Sequence, residues 1–413
     1  MKLIKTLIKI ILFIILFVII GAVVFLLVIM DTSDTSFKPT DGVSIEEVLG
    51  SDLNTSLNTI SSLDNDSRKT DKNAIEISFT TEELNNFIVE IIRSNISQNY
   101  LKEGGETKVF TAGPSAIDSV FFEDFGENTL SVKARVEALN FYKTSLTLAG
   151  TPSIEGDELV FKFTDFKLGN RIGLTSDQVI GFKDFFKLNF GSISGFDLDT
   201  MTFRFDISSF MESSNAFGNI IKGVDKNCEY KDKNLVLKFD TRNIFTELQP
   251  IQEPVASFEI PDLALLALEH KLELTENQFN FIIKHELENT TNDAQENGAT
   301  GGSFKIGSNE FTYKLEKLYY NIDTEQMQAY IYINEAKANL VADVDISTIK
   351  SGDYVDSLKI QVKTIKLGNT LMDASNFFSE IIIPASNFTF GYDLHVKDIT
   401  FNKTEEKCNI EFA

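Results

Sequence analysis

This chain of 413 residues has no tryptophan, and it has only two cysteines, three histidines and seven prolines. Two cysteines are too few for a disulfide scaffold or a cysteine-rich zinc module. Basic residues are also in deficit, with 38 Lys and Arg against 61 Asp and Glu and a net charge of −23. Because a nucleic acid is bound through clustered cations that neutralise its phosphates, this balance excludes a nucleic-acid partner.

Groups that carry chemistry are equally scarce. Residues 191–195 (GSISG) have the spacing of a nucleophile elbow, but the surrounding pattern does not predict the strand and helix that such an elbow joins. His285 has no convincing ligand partner three or four residues away on its predicted helix. The acids within 123–127 and 197–199 lack the regular alternation of a calcium loop. We therefore expect no catalytic residue, no metal and no cofactor, and predict that the protein is not an enzyme.

Apolar residues make up 43% of the chain, which is enough to form a core. The longest apolar run, residues 10–30, has 21 residues without a charge and follows Lys2, Lys5 and Lys9. A helix of that length is about 30 Å long, the thickness of the hydrocarbon core of a membrane. The run predicts a single-pass anchor in the cell membrane, with a cytoplasmic N-terminus and the rest of the chain outside. The alternative, a cleaved signal peptide, has a shorter apolar region that ends in small residues.

An internal repeat follows a polar spacer. Residues 31–73 are rich in Ser, Thr, Asp and Asn, which predicts a spacer with at most one marginal helix. Residues 77–85 (ISFTTEELN) recur as 272–280 (LELTENQFN), and residues 159–170 (LVFKFTDFKLGN) recur as 358–369 (LKIQVKTIKLGN). These motifs keep their order, so we interpret the chain as carrying a duplicated domain.

Both copies end in a hairpin-like stretch, at 224–240 and at 396–412. Cys228 and Cys408 lie in these hairpins, where two separate thiols are predicted and a disulfide joining the copies is the alternative. The predicted segments are a cytoplasmic start and anchor at 1–30, the spacer at 31–73, a repeat domain at 74–245, a linker at 246–269 and a second repeat domain at 270–413.

Each copy opens with an alternating strand followed by an amphipathic helix. Thr80 or Thr81 precedes the first helix with Glu83 as its capping partner, and Thr275 precedes the second with Gln278 three residues on. At matching helix positions stand Asn85 and Asn280, which are predicted to be polar surface residues, with a ligand role as the alternative.

Long alternating strands follow in both copies, joined by turns around Gly156 and Gly352. After Phe163 the apolar alternation slips by one position to Phe166, and after Val362 it slips in the same way to Ile365. A β-bulge adds one residue and bends its strand, so both copies predict a curved antiparallel sheet with a bulge at this point.

Helix-like stretches at 174–186 and 371–383 complete the two copies. The predicted fold class is therefore α+β: an N-terminal transmembrane helix followed by two tandem repeats, each a long helix packed on a curved antiparallel β-sheet.

The motifs at 77–85, at 146–159 (LTLAGTPSIEGDEL) and at 167–170 (KLGN) resemble those of the YpmS-like family of bacterial proteins. That resemblance implies one N-terminal membrane helix and an exterior domain, here present twice, with no assigned catalytic residues. More distantly, a doubled module of helix and curved sheet looks like the tubular lipid-binding superfamily that includes the bactericidal permeability-increasing proteins. This second resemblance implies apolar grooves that hold acyl chains.

The 36 phenylalanines are the main anomaly in the composition. The plain interpretation is that they fill two ordinary cores, and the alternative is an apolar groove between helix and sheet that accepts an acyl chain. The residues predicted to line this groove are Leu84, Phe87, Ile88, Ile91, Phe161, Phe163, Phe166, Phe279, Ile282 and Ile283.

Taken together, these features predict a non-catalytic, membrane-anchored exterior protein that binds or shuttles a lipid or amphiphile. The alternative is a scaffolding module of the cell envelope that binds another protein. The predicted partners are accordingly the cell membrane, through residues 10–30, together with a lipid or another envelope protein. An open apolar surface favours the lipid, whereas two sealed cores favour the scaffold.

Overall fold

The structure is a computed structural model, and it describes most of the chain. The residues that it describes are 30, 44–95, 98–102, 105, 107–112, 115–126, 128–138, 142–169, 172–175, 196–197, 199–207, 224–257, 259, 266, 268–293, 301–373 and 380–413. They fall into two compact units. Unit 1 holds the described residues up to Val48 and those within Ser78–Ile207 and Asn227–Leu237; unit 2 holds those within Leu49–Ile77, Ser208–Lys226 and Lys238–Ala413.

Strands make up most of the described chain. Its α-helices are α1 (Ile45–Ser61), α2 (Thr81–Asn95) and α3 (Glu276–Asp293). The strands of the first half are β1 (Ala74–Thr80), β2 (Phe110–Ala112), β3 (Ser115–Gly126), β4 (Thr129–Ala138), β5 (Tyr142–Glu155), β6 (Glu158–Leu168), β7 (Ile172–Leu174), β8 (Phe196–Asp197), β9 (Thr202–Asp206), β10 (Lys226–Lys231) and β11 (Asn234–Asp240). Those of the second half are β12 (Lys271–Thr275), β13 (Gly301–Ile306), β14 (Asn309–Asn321), β15 (Gln326–Ile333), β16 (Ala336–Ser351), β17 (Tyr354–Leu367), β18 (Thr370–Asp373), β19 (Glu380–Pro384), β20 (Val396–Asn402) and β21 (Lys407–Phe412).

Two large antiparallel sheets repeat one topology. Sheet I, in unit 1, has the order β2-β3-β4-β5-β6-β9-β8, with β7 also paired to β6. Sheet II, in unit 2, has the order β13-β14-β15-β16-β17-β18, with β19 also paired to β17. Two small sheets repeat as well, in the orders β1-β11-β10 and β12-β21-β20. The duplication inferred from the motifs is therefore present in the strand order.

The predicted bulges are confirmed in both sheets. Ala149 pairs with Asp165 but Gly150 pairs with Phe163, so Thr164 is the extra residue of β6. In sheet II the pairing shifts in the same way between β16 and β17, and Lys363 is the extra residue. An extra residue bends its strand, which explains why the apolar alternation slips at this point in both copies.

The strand-to-helix junctions also follow the predicted pattern. The Thr80 amide donates to the Glu83 carboxylate at 2.7 Å, and the Glu83 amide donates back to the Thr80 hydroxyl at 3.2 Å. The Thr275 amide donates to the Gln278 side chain at 2.9 Å, and the Gln278 amide donates back at 3.4 Å. Both helices thus begin with a capping box that satisfies otherwise unpaired backbone amides.

The predicted α+β class, with a long helix packed on each sheet, is wrong, because the described chain is mostly β-sheet. Helices α2 and α3 have 15 and 18 residues, against eight strands in sheet I and seven in sheet II. Residues 371–383, predicted to be helix-like, contain most of β18 and β19. The exposed Ile382 stands between the buried Ile381 and Ile383, which is the period of a strand. Of residues 174–186, only 174 and 175 are described, and Leu174 ends β7.

Helix α1 lies within the segment predicted as a spacer. Its Leu53, Leu57 and Ile60 are at most 1% exposed, so this helix contributes to a core. A side chain on Gly50 would come within 2.5 Å of the Ile306 carbonyl oxygen, at the turn between β13 and β14. The small residue therefore permits the close approach of the helix to that turn.

No helix in the described part of the chain is long and apolar enough to cross a membrane. This finding contradicts the predicted single-pass anchor at 10–30 and the predicted location at the cell membrane with an exterior body. Helices α1, α2 and α3 have only 15 to 18 residues and carry charged side chains. Residues 10–29 of the predicted span lie outside the described residues.

Both cysteines are free, so the disulfide alternative is not formed. Burial raises the pKa of Cys228 to about 12, and it also raises the pKa of Cys408, which is 0% exposed. Because the thiolate is the reacting species, a rise from 9.0 to about 12 lowers its fraction about a thousandfold for Cys228. We expect iodoacetamide at pH 8 to label both thiols in urea and neither within minutes in the folded chain, as measured by mass spectrometry. Equal labelling of Cys408 in both states would contradict this.

Candidate functional site

The two repeats share an asparagine clamp between helix and sheet. The Asn85 side chain accepts from the Phe122 amide at 2.5 Å and donates to the Phe122 carbonyl at 3.0 Å. The Asn280 side chain accepts from the Tyr320 amide at 2.6 Å and donates to the Tyr320 carbonyl at 2.8 Å. Both asparagines are buried, so their prediction as surface residues is wrong. Their matching places in the repeat were the signal for this role.

The clamps fix which positions of the two sheets are equivalent. Across sheet I, strand pairing sets Phe122 beside Val132, Val132 beside Leu148, and Leu148 beside Phe166. We call the surface formed by this row and its neighbours the apolar face of sheet I. Its residues are Ile117, Val120 and Phe122 on β3, Val132, Ala134 and Val136 on β4, Leu146 and Leu148 on β5, and Leu159, Phe161, Phe163 and Phe166 on β6.

This apolar face is partly open. Its members on β4 and β5, together with Phe122, are partly exposed, whereas its members on β6 are buried. The Phe161 ring packs between Phe122 and Phe203, with centroid distances of 6.1 and 6.3 Å. The face is therefore closed and aromatic along β6 and open to solvent across β4 and β5.

The equivalent face of sheet II is sealed. Tyr320 pairs with Met327 as Phe122 pairs with Val132, so the two faces are compared residue by residue. The residues of sheet II that match Val132, Ala134, Val136, Leu146 and Leu148 are Met327, Ala329, Ile331, Leu340 and Ala342, and all five are at most 2% exposed. One module thus has a filled core where its duplicate leaves apolar side chains in contact with solvent.

The opposite face of sheet I is polar and largely buried. Ser131, Lys133, Arg135 and Glu137 alternate along β4 and are at most 9% exposed. A buried charge is costly unless it is paired, and this face carries pairs near its edge. There, the Lys108 ammonium lies 3.0 Å from the Glu137 carboxylate.

Two carboxylates on that polar face have opposite pKa shifts. The hydrogen bond from Lys108 lowers the pKa of Glu137, whereas burial raises the pKa of Asp118. Lys108 and Lys143 lie 3.9 and 4.0 Å from Asp118, so both acids belong to one ion-pair network. A structural network of this kind accounts for the shifts without a catalytic role. Among the described residues, no group of three or more His, Cys, Asp or Glu is placed to hold a metal.

The predicted groove residues fall into two sets. Phe161, Phe163 and Phe166 lie on the apolar face of sheet I. On α2, Leu84 is buried, Phe87 and Ile88 are partly exposed, and the side chain of Ile91 lies outside the described part of the chain.

The second set forms a closed core in unit 2. Phe279 is 0% exposed, with ring centroids of Phe401, Tyr320 and Phe388 at 5.2, 5.9 and 6.2 Å. Ile282 and Ile283 beside it are at most 4% exposed. Phe161, Phe163 and Phe166 are therefore buried members of a face that is open only across β4 and β5, whereas the second set lies in a closed core.

Comparison with known proteins adds one finding. No protein-family model and no curated protein match the chain. A crystal structure described as that of lipopolysaccharide binding protein aligns with 82% of this chain and 98% of its own, at 9% sequence identity and a TM-score of 0.14. A TM-score this low carries no argument about fold or ligand, so the chain is similar to that protein only weakly.

Proposed function

We propose that this protein binds a lipid or other amphiphile on the apolar face of sheet I and catalyses no reaction on it. The observation that carries the proposal is the contrast between the two modules. Five apolar positions that are sealed in sheet II are partly exposed in sheet I. A contiguous apolar surface in contact with water is costly, and such surfaces commonly mark binding sites for apolar ligands.

The surroundings of the open face suit a chain-like ligand. Ile117 and Val120 pack with Ile88 of α2 against the buried Val89 and Tyr100, so the helix borders the face on one side. The phenylalanines of β6 close it on the other. Each buried methylene contributes about 0.8 kcal/mol, so a chain that buries about eight methylenes gains about 6 kcal/mol before the costs of association.

The proposed binding role also agrees with the resemblance of two sequence motifs to the YpmS-like family. Its motif at 77–85 spans the junction of β1 and α2, and residues 167–169 of its second motif lie at the end of β6, so we expect both to shape the module. We propose that the chain is related to that family through this module, and that its role is binding and not catalysis.

The test is a charged substitution in the middle of the face. Leu146→Asp places a short carboxylate among the apolar side chains, which should weaken binding of a fluorescent fatty acid at least about tenfold, since burying an unpaired charge is costly. The control is Leu371→Asp on β18 of sheet II, where the side chain is 71% exposed and is not part of the apolar face of sheet I. Affinity is measured by fluorescence titration of the full chain, with circular dichroism to show that both variants fold.

Two outcomes would contradict the proposal. One is a wild-type chain that neither binds the fatty acid nor carries lipid in native mass spectrometry. The other is equal affinity for wild type and Leu146→Asp.

A second candidate function is protein binding. It is favoured by the sealed core of unit 2. It is also favoured by two exposed apolar side chains, Leu371 (71% exposed) and Ile382 (46% exposed), on β18 and β19, which both pair with β17. Under this candidate, Leu371→Asp abolishes association with a protein partner in chemical cross-linking while lipid is absent from the purified wild type.

A further inference from the structure

Unit 2 contains a cleft of about 620 Å³ whose charged side chains are mostly cationic, although the chain as a whole is acidic. The chain carries 61 acidic and 38 basic residues, yet the side chains that line this cleft include four cations and one carboxylate. These are Arg68, Lys69, Arg242, Lys366 and Glu247. We call this the basic cleft.

Arg68 is its most unusual residue. It is only 5% exposed, and its hydrogen bonds within the described chain all go to backbone carbonyls, the shortest to Lys337 at 2.9 Å. No carboxylate of the described residues lies within ion-pair distance of it, and its Nη2 group donates to none of their acceptors. Desolvation lowers the pKa of this guanidinium from its usual value, which reflects the cost of holding the charge there. A buried charge without a counterion is energetically costly, and an anion bound beside it would reduce that cost.

Two of the other cations of the basic cleft are paired with carboxylates. Lys69 lies 3.2 Å from Glu247, and Arg242 forms a two-pronged bond with Asp240. Lys366 is exposed and forms no ion pair within the part of the chain that the structure describes. Two cations, Arg68 and Lys366, therefore remain without a neutralising partner in the same cleft.

We propose that the basic cleft binds a phosphate monoester. A phosphate monoester carries close to two negative charges at neutral pH, which matches the two unneutralised cations. A guanidinium presents a planar fork that suits phosphate oxygens, and an ammonium adds a point charge. This site lies in unit 2 and is independent of the apolar face of sheet I.

The size and walls of the cleft favour an organic ester over the bare ion. Its volume lies in the range of about 300–1,000 Å³ that is typical of small-molecule sites. Ile251 and Val341 supply apolar wall, and Gln328 and Asn369 supply amides. The organic part of the ligand would rest against these side chains while its phosphate meets Arg68 and Lys366.

The test uses calorimetric titration of the full chain with glycerol 3-phosphate, which has no acyl chain for the apolar face to bind. We expect saturable binding that Lys366→Glu weakens at least about tenfold, because a charge-assisted contact becomes a repulsion. The matched control is Lys363→Glu, three residues away on β17, where the lysine is 58% exposed, pairs with Asp345 and does not line the cleft. That control should keep its affinity within about twofold.

Two further probes distinguish the source of the phosphate. Inorganic phosphate tests the bare ion, and phosphatidylcholine vesicles containing phosphatidic acid test a lipid headgroup. Vesicle binding with the same dependence on Lys366 assigns a headgroup, and binding of glycerol 3-phosphate alone assigns a free ester; both support the site. Equal affinity of wild type and Lys366→Glu, or no saturable binding of any probe, overturns it. Leu146→Asp should leave glycerol 3-phosphate binding unchanged, so failure of this site and failure of lipid binding are distinguishable.

Discussion

Replacing Asn280 by alanine is expected to lower the free energy of unfolding by about 3–5 kcal/mol, since it leaves buried backbone groups without partners. The Asn280 side chain is 0% exposed and bonds both the amide and the carbonyl of Tyr320. It also donates to the Glu276 carbonyl at 2.9 Å. Alanine supplies none of these bonds and leaves a small void, so helix α3 loses its polar attachment to β14.

The control for this prediction is Asn277→Ala, one turn earlier on the same helix. Asn277 is partly exposed, and its side chain bonds Gln252 and the Tyr319 hydroxyl. We expect its loss to cost about 1 kcal/mol or less, because the Tyr319 hydroxyl keeps its bond to Glu276 and water can bond the freed amide of the exposed Gln252. Urea unfolding followed by circular dichroism gives both values, and hydrogen exchange of α3 and β14 locates the effect. Similar costs for the two variants would show that the clamp is not what holds α3.

The equivalent substitution in unit 1, Asn85→Ala, should cost less. Asn85 is 6% exposed and makes the same two bonds to the Phe122 backbone, but within the described chain its side chain makes no bond to its own helix. Phe122 is partly exposed, so water reaches the freed groups more readily. We therefore expect Asn280→Ala to lower the free energy of unfolding more than Asn85→Ala does, because the clamp of unit 2 is sealed and that of unit 1 lies beside an open face.

Local features of this fold were predictable from the sequence because they depend on neighbouring residues. The capping boxes at Thr80 and Thr275 follow from the spacing of a hydroxyl and a carboxylate or amide three residues apart. The bulge after Phe163 follows from a single slip in the apolar alternation. Repetition at Val362 strengthened that inference, since the same slip in both copies is improbable by chance.

Features that depend on distant residues were missed. The sequence pattern at 371–383 predicts a helix-like stretch, although its buried isoleucines alternate at a period of two in a strand that pairs with β17. Both large sheets show the same apolar alternation, so this pattern does not predict that the apolar face of sheet I is open and that of sheet II is sealed. The basic cleft combines residues near 68, 242, 328–341 and 366, and charge counts along the chain do not show that they converge. The sequence predicts an apolar groove in both copies because their apolar alternation is the same.

Replacing Gly150 by valine is expected to disrupt sheet I at its bulge, with a cost of about 3 kcal/mol or more, because a backbone contact has to move. A side chain at Gly150 would lie 2.1 Å from the carbonyl oxygen of Lys162 and 3.0 Å from the Cα of Phe163. The equivalent position in sheet II is the buried Val344, so a bulge as such tolerates a side chain. At Gly150 it is the position of the Lys162 carbonyl that requires glycine.

Gly156→Ala provides the matched control for Gly150→Val, because it tests the strain of a positive φ where a side chain has open space around it. Gly156 sits in the turn between the same two strands with φ +64°, and a side chain there meets nothing within 4 Å. Its substitution should cost only the strain of the left-handed backbone, about 1–2 kcal/mol. Hydrogen exchange of β5 and β6 measures both variants. If Gly150→Val costs no more than Gly156→Ala, the two strands are further apart at the bulge, and the phenylalanines of β6 are not held where a ligand chain on the open face would meet them.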